Sequence, residues 1–270
     1  MRRPGLVASD VDGTLLDPLE RVSPRTARAV QRVVASGTPF VLVTGRPPRW
    51  MPSVFDGLGV AGIAVCANGA VRYDAATDRV LHSHVIDALL LHDVVHELRR
   101  ELPGCAFAVE RTTDGALDRV HEQCLAESDF RRIWPNSDIR VAGVGELTGC
   151  PAVKLLVLHE HMTSAEMATA AKAVIGSQLQ LTYSTSAGLI ELSAPGVDKA
   201  TGLAAVAEEL GVDQADVIAF GDMPNDVPML EWAGRGVAMR NAHPAALAAA
   251  DEVTTTNAED GVAHLLARWW

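Results

Sequence analysis

Aromatic side chains are scarce, at 4% of the 270 residues, and the 48% hydrophobic content comes mostly from alanine, valine and leucine. This composition favours helices packed on a buried sheet over an aromatic-rich sandwich. The four cysteines form no CxxC pair, which argues against a zinc knuckle or a disulfide framework. No apolar run reaches the roughly 20 residues that a membrane-spanning helix needs. We therefore expect a cytoplasmic protein without a membrane segment.

Positive charge is also in short supply. The chain has 23 lysines and arginines against 34 aspartates and glutamates, giving a formal net charge of −11. Nucleic acids and anionic membranes attract proteins with basic patches, and the sequence shows none. We expect a small-molecule partner instead, and the sequence leaves the oligomeric state open.

The order of predicted elements indicates the fold. Strands and helices alternate at both ends of the chain, which predicts parallel strands joined by right-handed crossovers. In the middle, a hairpin and a separate run of helices and strands break this rhythm. The fold class is therefore predicted as α/β, a doubly wound Rossmann-like parallel sheet with an inserted α+β cap domain. We assign residues 1–83 and 189–270 to the core and residues 84–188 to the cap.

Polar residues follow four of the predicted core strands. Asp10, Thr44, Asn68 and Asp222 each stand where an apolar strand gives way to a loop. In doubly wound sheets, ligands bind beyond the carboxyl ends of the strands. These four remote segments are therefore predicted to meet in one crevice.

Asp10 and Asp12 are the most informative residues of the chain. Strand side chains alternate, so two acids two residues apart lean the same way. Like charges held that close repel unless a cation, a shared proton or a transferring group offsets them. The cation predicted here is Mg²⁺, a hard ion that takes oxygen ligands and commonly bridges to a phosphate.

The crevice has a candidate for each requirement of phosphate-monoester chemistry. Asp10 can attack phosphorus to give an aspartyl phosphate, and Asp12 can protonate the leaving alcohol and then activate water. Asp222 adds a third carboxylate for the metal. Thr44 can donate a hydrogen bond to the phosphoryl group. Further contacts come from Gly45, whose small size lets backbone N–H groups approach, and from Lys199 at a predicted helix start.

The motifs resemble those of a known family. Their order and broad spacing are similar to the four motifs of the haloacid dehalogenase-like phosphatases, and the insert resembles the α+β (type IIB) cap of the Cof-type branch. The matching segments are Asp10-Val11-Asp12-Gly13-Thr14, Thr44-Gly45-Arg46, Lys199, and Gly221-Asp222 with Asn225-Asp226. Further matches to that branch are Ala67-Asn68-Gly69-Ala70, Gly196-Val197-Asp198-Lys199 and the tail Asn257 to Ala263.

This resemblance implies more specific roles. Asp10 becomes the nucleophile and a magnesium ligand, and Asp12 becomes the acid/base whose backbone carbonyl also binds the metal. Asp222 completes the protein ligands. By the same resemblance, Asp226 is a ligand or a group that orients the ligands, and Asn225 contacts the phosphate or orients its neighbours.

The expected function is Mg²⁺-dependent hydrolysis of a small phosphorylated metabolite under a cap that excludes water. A sugar phosphate is favoured, with flavin mononucleotide and pyridoxal phosphate as further candidates. Arg46, Asn68 and Gly69 are expected near the substrate. A phosphomutase would use the same aspartyl phosphate. A non-enzymatic phospho-aspartate switch is the alternative of a different class.

Overall fold

The part of the chain that the structure describes contains fourteen short strands, and most of them are deeply buried. The structure, a computed structural model, describes residues 2–136 and 138–270. The strands are β1 Leu6–Ser9, β2 Phe40–Val43, β3 Ile63–Cys66, β4 Val71–Asp74, β5 Arg79–Ser83, β6 Ala106–Glu110, β7 Cys124–Ala126, β8 Arg140–Val141, β9 Lys154–Leu158, β10 Gln180–Thr182, β11 Leu189–Ser193, β12 Val217–Gly221, β13 Arg235–Ala238 and β14 Glu252–Val253.

The helices fill most of the connections between strands. They are α1 Pro24–Ala35, α2 Met51–Leu58, α3 Ala88–Glu101, α4 Val120–Gln123, α5 Ser128–Ile133, α6 Val144–Thr148, α7 Ser164–Ile175, α8 Lys199–Glu209, α9 Val227–Trp232, α10 Pro244–Ala249 and α11 Gly261–Leu266. Short 3₁₀ turns add Pro48–Trp50, Ala67–Gly69, Gln214–Asp216, Pro224–Asp226 and Asn257–Glu259.

Contacts divide the chain into two compact units, residues 1–81 with 198–270 and residues 82–197. The first unit is built on an eight-stranded sheet of order β14-β13-β12-β1-β2-β3-β4-β5. Pairing is parallel from β14 to β3 and antiparallel between β3 and β4. The predicted α/β class with a parallel-dominated core is confirmed.

Helices pack against this sheet because its central strands are apolar along their whole length. Every residue of β1, β2 and β12 is buried, as is usual for parallel strands covered on both faces. Leu6 and Ala8 of β1 pack with residues of α8 and α9. Helix α1 begins at Pro24, and the hydroxyl oxygen of the preceding Ser23 accepts the Thr26 N–H at 3.0 Å.

The second unit has its own six-stranded sheet of order β10-β11-β9-β6-β7-β8. Its strands pair antiparallel except β7 with β8. One face of the sheet packs on helices α3 and α7 through a large apolar cluster that includes Phe107, Leu155 and Met167. A separate sheet and a separate core are the features of an α+β module.

The predicted end of the insert differs from the observed one. The sequence predicts that the core resumes at residue 189, whereas the structure keeps residues up to Val197 in the second unit. The reason is β11, which pairs antiparallel with β9 and β10 and completes that unit's sheet. No change in composition marks this boundary. At the other boundary, the second unit begins at His82 rather than residue 84.

The described residues between 111 and 151 form only short elements. Among them, β7 has only three residues, all buried, and β8 only two. Elements this short carry no measurable hydrophobic period. In the described parts of the chain, no helix has both the length and the apolar character required to cross a bilayer.

Candidate active site

Asp10 lies directly after β1. Its backbone N–H donates to the Phe220 carbonyl in β12 at 2.9 Å, which continues the parallel pairing by one residue. Since β1 is buried along its whole length, the chain delivers the Asp10 carboxylate to the end of the sheet with only 5% of the residue exposed. The predicted position of this acid at a strand end is observed.

Lys199 joins two of the buried acids. Its Nζ donates to Asp10 Oδ1 at 2.6 Å and to Asp226 Oδ1 at 2.5 Å, and the lysine is fully buried. Lys199 is the first residue of α8, whose start is fixed by Asp198: its carboxylate accepts the Thr201 N–H at 2.8 Å. The helix start therefore holds the ammonium at the ends of β1 and β12.

Asp226 organises the loop that follows β12. Its Oδ2 accepts the backbone N–H groups of Asp222 and Met223, each at 2.9 Å. Because Oδ1 already accepts from Lys199, both oxygens of this fully buried carboxylate have protein donors. The arrangement fixes the loop so that Asp222 points toward Asp10.

The turn after Asp10 closes on Asp222. Gly13 has φ +71°, and a Cβ atom there would lie 2.2 Å from Asp222 Oδ2, so only glycine fits. The Thr14 hydroxyl donates to Asp222 Oδ1 at 3.0 Å, and the Asn241 amide donates to the Gly13 carbonyl at 2.8 Å. The sequence analysis missed Thr14 and Asn241 as parts of the site. The sequence did contain a signal for Thr14, because this residue belongs to the Asp-Gly-Thr motif.

Three carboxylates face one lysine in this site. Ligand atoms of Asp10, Asp222 and Asp226 lie within 4.8 Å of one another. Burial, reinforced by the neighbouring acids and opposed by Lys199, raises the pKa of Asp10 well above its usual value. Burial and Asp226 raise the pKa of Asp222 to about 7. Burial alone would lower the pKa of Lys199, but Asp10 and Asp226 raise it.

Asp12 differs from the other acids because it is half exposed and paired with Arg46. Arg46 Nε donates to Asp12 Oδ2 at 2.7 Å, and its Nη2 donates to Oδ1, so the guanidinium binds both carboxylate oxygens. The side chain of Asp12 is 51% exposed and that of Arg46 is 14% exposed. Sequence reasoning placed Arg46 near the substrate but did not predict this pair.

The loop after β2 supplies Thr44 and Gly45. Thr44 is fully buried, and its backbone N–H donates to the Val65 carbonyl at 2.8 Å. Its hydroxyl oxygen accepts the Arg46 N–H at 3.0 Å, which turns the chain at Gly45. This loop follows β2, the neighbour of β1 in the sheet, so it lies at the same sheet end as Asp10.

Asn68 and Asn225 form a second buried contact at this end of the sheet. Asn225 Nδ2 donates to Asn68 Oδ1 at 3.1 Å. The two residues come from the loops after β3 and β12, and both are at least 95% buried. Gly69, the neighbour of Asn68, has φ +101°. The structure thus brings loops from β1, β2, β3 and β12 together, as the positions at strand ends predicted.

The donor set of the acidic cluster suits a hard divalent cation. All candidate ligand atoms are carboxylate oxygens, the three acids are buried, and a single lysine leaves their charge incompletely offset. Mg²⁺ prefers such oxygen ligands, and a cation held there would offset the repulsion that adds to burial in raising the pKa of Asp10.

A family model described as haloacid dehalogenase-like hydrolase matches residues 7–266. The match covers nearly the whole chain, including the acidic cluster and the second unit. The chain belongs to the haloacid dehalogenase-like hydrolases. The resemblance drawn from the motifs is confirmed.

Two curated phosphatases match this chain along nearly their whole length. A 5-amino-6-(5-phospho-D-ribitylamino)uracil phosphatase of Bacillus subtilis (strain 168) is 28% identical, with 98% of this chain and 95% of that protein aligned. A pyridoxal phosphate phosphatase of Escherichia coli (strain K12) is also 28% identical, with 97% of each chain aligned.

The fold of the whole chain recurs in a solved structure. A sugar phosphatase of haloacid dehalogenase subclass IIB superposes with a TM-score of 0.82. The alignment covers 98% of each chain at 20% sequence identity. At this identity the likeness concerns the fold, and it extends through the inserted unit.

Proposed function

We propose that this phosphatase of the haloacid dehalogenase-like family hydrolyses a small phosphorylated metabolite through an aspartyl phosphate on Asp10, with Mg²⁺ as cofactor. The observation that supports this proposal most directly is the contact of Lys199 with both Asp10 and Asp226. It places a permanent positive charge beside the carboxylate that would become phosphorylated. The donors of Thr44, Gly45, Lys199 and Asn225 are the proposed phosphate contacts.

In the first step, a carboxylate oxygen of Asp10 attacks phosphorus, and the ester bond between phosphorus and the leaving oxygen breaks. Asp12 gives its proton to that oxygen as the alcohol departs. Asp12 suits this role because it is half exposed and lies two residues from the nucleophile. Without substrate, the Asp12 carboxylate is paired with Arg46; it takes up from solvent the proton that it then gives to the leaving oxygen.

In the second step, Asp12 takes a proton from water as the water oxygen attacks phosphorus. The bond between phosphorus and the Asp10 oxygen breaks, which releases inorganic phosphate and restores both acids. Lys199 stays charged throughout and stabilises the negative charge on Asp10 before attack and on the phosphoryl oxygens afterwards. Splitting the hydrolysis in two lets one pair of acids perform both halves.

The residues proposed to hold the metal are Asp10, the backbone carbonyl of Asp12, and Asp222. Mg²⁺ bound there supplies positive charge that stabilises the phosphoryl oxygens and offsets the buried acids. Both oxygens of Asp226 already accept hydrogen bonds from protein donors. Asp226 is therefore proposed to orient Asp222 and Lys199 and not to bind the metal itself.

A sugar phosphate is the favoured substrate. The phosphoribityl group named for the Bacillus relative is a phosphorylated sugar alcohol, and the solved relative is a sugar phosphatase. The low aromatic content, 4%, offers few rings to stack on a flavin or pyridoxal ring. The second unit is proposed to select the leaving group. A cytoplasmic location and the absence of a nucleic-acid partner are further parts of this proposal.

The test is a phosphate-release screen of the purified full-length protein with Mg²⁺ across sugar phosphates, nucleotides, flavin mononucleotide and pyridoxal phosphate. We expect turnover of a sugar phosphate that exceeds turnover of the two ring cofactors. Transfer of the phosphoryl group to a second hydroxyl of the sugar, without free phosphate, would identify a phosphomutase. A stable phosphoryl group on Asp10 with no release from any substrate would identify a phospho-aspartate switch.

A further inference from the structure

Three consecutive residues after β3, Ala67, Asn68 and Gly69, have positive φ angles of 50°, 56° and 101°. This region of backbone space is common for glycine and tolerated by asparagine, but it is unfavourable for alanine. Consecutive residues remain in it only where the surrounding structure holds them there. The contacts of this turn, residues 67–69, show what holds it.

Two backbone bonds tie the turn to the loop after β2. The Ala67 N–H donates to the Arg46 carbonyl at 2.9 Å, and the Asn68 N–H donates to the Thr44 carbonyl at 3.0 Å. Both acceptors belong to residues at the proposed phosphate-binding loop. The turn therefore fixes the backbone on either side of Gly45.

Glycine packing ties the turn to the Lys199 helix. A Cβ atom on Gly69 would lie 2.0 Å from the carbonyl oxygen of Asp198, the residue that caps α8. A Cβ atom on Gly202, one turn further along α8, would lie 2.9 Å from Gly69 Cα. The backbones of the turn and of the first turn of α8 are thus in direct contact. Lys199 is the first residue of that helical turn.

Asn68 ties the turn to the loop after β12. Its Oδ1 accepts a hydrogen bond from Asn225 Nδ2 at 3.1 Å. Asn225 is 5% exposed, and within the described residues its Oδ1 has no hydrogen-bond partner. The bond to Asn68 therefore determines which way the Asn225 amide faces. A buried amide with one unpaired oxygen costs free energy, which is typical of functional sites.

We propose that Asn68 is a positioning residue that orients Asn225 toward the phosphoryl group. The turn that contains Asn68, residues 67–69, holds the loop after β2 and the start of α8 in their places. The proposal rests on the proposed function, because it assigns a role in that same reaction. It predicts that the Asn68 side chain acts through Asn225 and touches neither phosphorus nor the leaving group.

The first variant is Asn68→Gly, which keeps the positive φ angle but removes the acceptor of the Asn225 bond. Misplacing one group of a preorganised site can lower turnover about 10² -fold. We expect kcat for the sugar phosphate found in the screen to fall by about 10- to 100-fold and KM to change by less than about threefold. The unfolding temperature should stay near that of the wild type. Asn68→Asp keeps an acceptor oxygen and should recover most of the lost kcat.

A double-mutant cycle tests the route of the effect. If Asn68 acts through Asn225, Asn68→Gly should cause no further loss of kcat in an Asn225→Ala background. A matched control is Arg119→Gly in the second unit, where φ is 45° and the side chain is exposed. Like Asn68→Gly, this control places a glycine at a positive φ angle. It should leave kcat unchanged.

Two results would overturn the proposal while leaving the phosphatase function intact. One is an unchanged kcat in Asn68→Gly. The other is a loss of kcat in Asn68→Gly that multiplies with the loss in Asn225→Ala, which would show that Asn68 contacts the substrate directly and does not act through Asn225. If Asn68→Gly does not fold, Asn68→Asp is measured in its place. An Asn68→Asp variant that folds but has a kcat as low as that of Asn225→Ala would also reject the proposal. A wild-type protein that releases no phosphate would instead reject the proposed function.

Discussion

Two buried lysines, one in each unit, form the same interaction in different surroundings. Lys199 contacts Asp10 at 2.6 Å and Asp226 at 2.5 Å, and Lys154 contacts Glu191 Oε2 at 2.5 Å. All five side chains are at most 7% exposed. Distance and burial alone therefore do not distinguish the proposed catalytic cluster from an ion pair within a sheet.

The two interactions differ in which elements of the fold carry the acids that contact each lysine. Asp10 and Asp226 come from loops after β1 and β12, which only the parallel sheet brings to one edge. Lys154 and Glu191 lie within β9 and β11, two paired strands of a single sheet, and Ser184 donates to Glu191 Oε1 at 2.6 Å. Charge gathered at strand ends is open to a ligand, whereas charge within a sheet stabilises strand pairing.

The largest effect is expected from replacing one acid in each cluster by its amide. Asp10→Asn removes the attacking oxygen, so kcat should fall by about 10⁴-fold or more while the protein stays folded. Glu191→Gln removes the charge that faces Lys154, so it should lower the free energy of unfolding by about 3 kcal/mol. Phosphate release and urea unfolding measure the two effects. Equal loss of kcat in both variants would show that the second unit's pair belongs to the site.

Removing the metal should change the activity that depends on Asp10, Asp222 and Asp226, because these three acids share one lysine. It should not affect the pair of Lys154 with Glu191. EDTA should abolish phosphate release, and Mg²⁺ should restore it. Mg²⁺ at about a hundred times its Kd should also stabilise the folded protein by about 2.7 kcal/mol, measured by thermal unfolding. Asp222→Asn is the matched control, in which this stabilisation should shrink. Full activity in EDTA would contradict the metal assignment.

Replacing Lys154 tests whether its pair serves stability. Lys154→Met alone should lower the free energy of unfolding by about 3–5 kcal/mol, because it leaves Glu191 buried without the lysine. The double variant Lys154→Met with Glu191→Leu should recover most of that loss, since a buried ion pair and an apolar pair often have similar stability. Denaturant titration measures both. If the double variant is no more stable than Lys154→Met alone, the two charges have a role other than stabilising the fold as a pair.

The smallest effect is expected at the mouth of the site. Arg46→Lys replaces a guanidinium that binds both oxygens of Asp12 with a single ammonium. We expect kcat to fall by about tenfold with little change in KM, because Asp12 is less well oriented. Arg21→Lys is the control: its pair with Asp17 is a surface pair with Arg21 68% exposed, and kcat should not change. Equal kinetics for the wild type and Arg46→Lys would remove the orienting role.

Much of the core was predictable because its signals are local. The apolar runs of β1, β2 and β12, the glycines and acids that follow them, and the Ser23-Pro24 start of α1 all appear within a few residues of sequence. The end of the insert was not predictable from such signals, since β11 also pairs with β9, a strand far earlier in the chain that ends at Leu158. Likewise, nothing near Asp12 or Arg46 in the sequence shows that they form a bidentate pair.

The sequence by itself determined the fold class and the family, and it predicted the candidates for a nucleophile, an acid, a lysine and oxygen ligands. Those properties follow from residue type, strand period and motif order. Only the tertiary structure decided that Asp226 supports its neighbours with both oxygens, and that Asn68 reaches Asn225 across 157 positions of chain. The physical reason is that hydrogen bonds and charge interactions depend on distances of a few ångströms, which the parallel sheet sets and the linear order of residues does not.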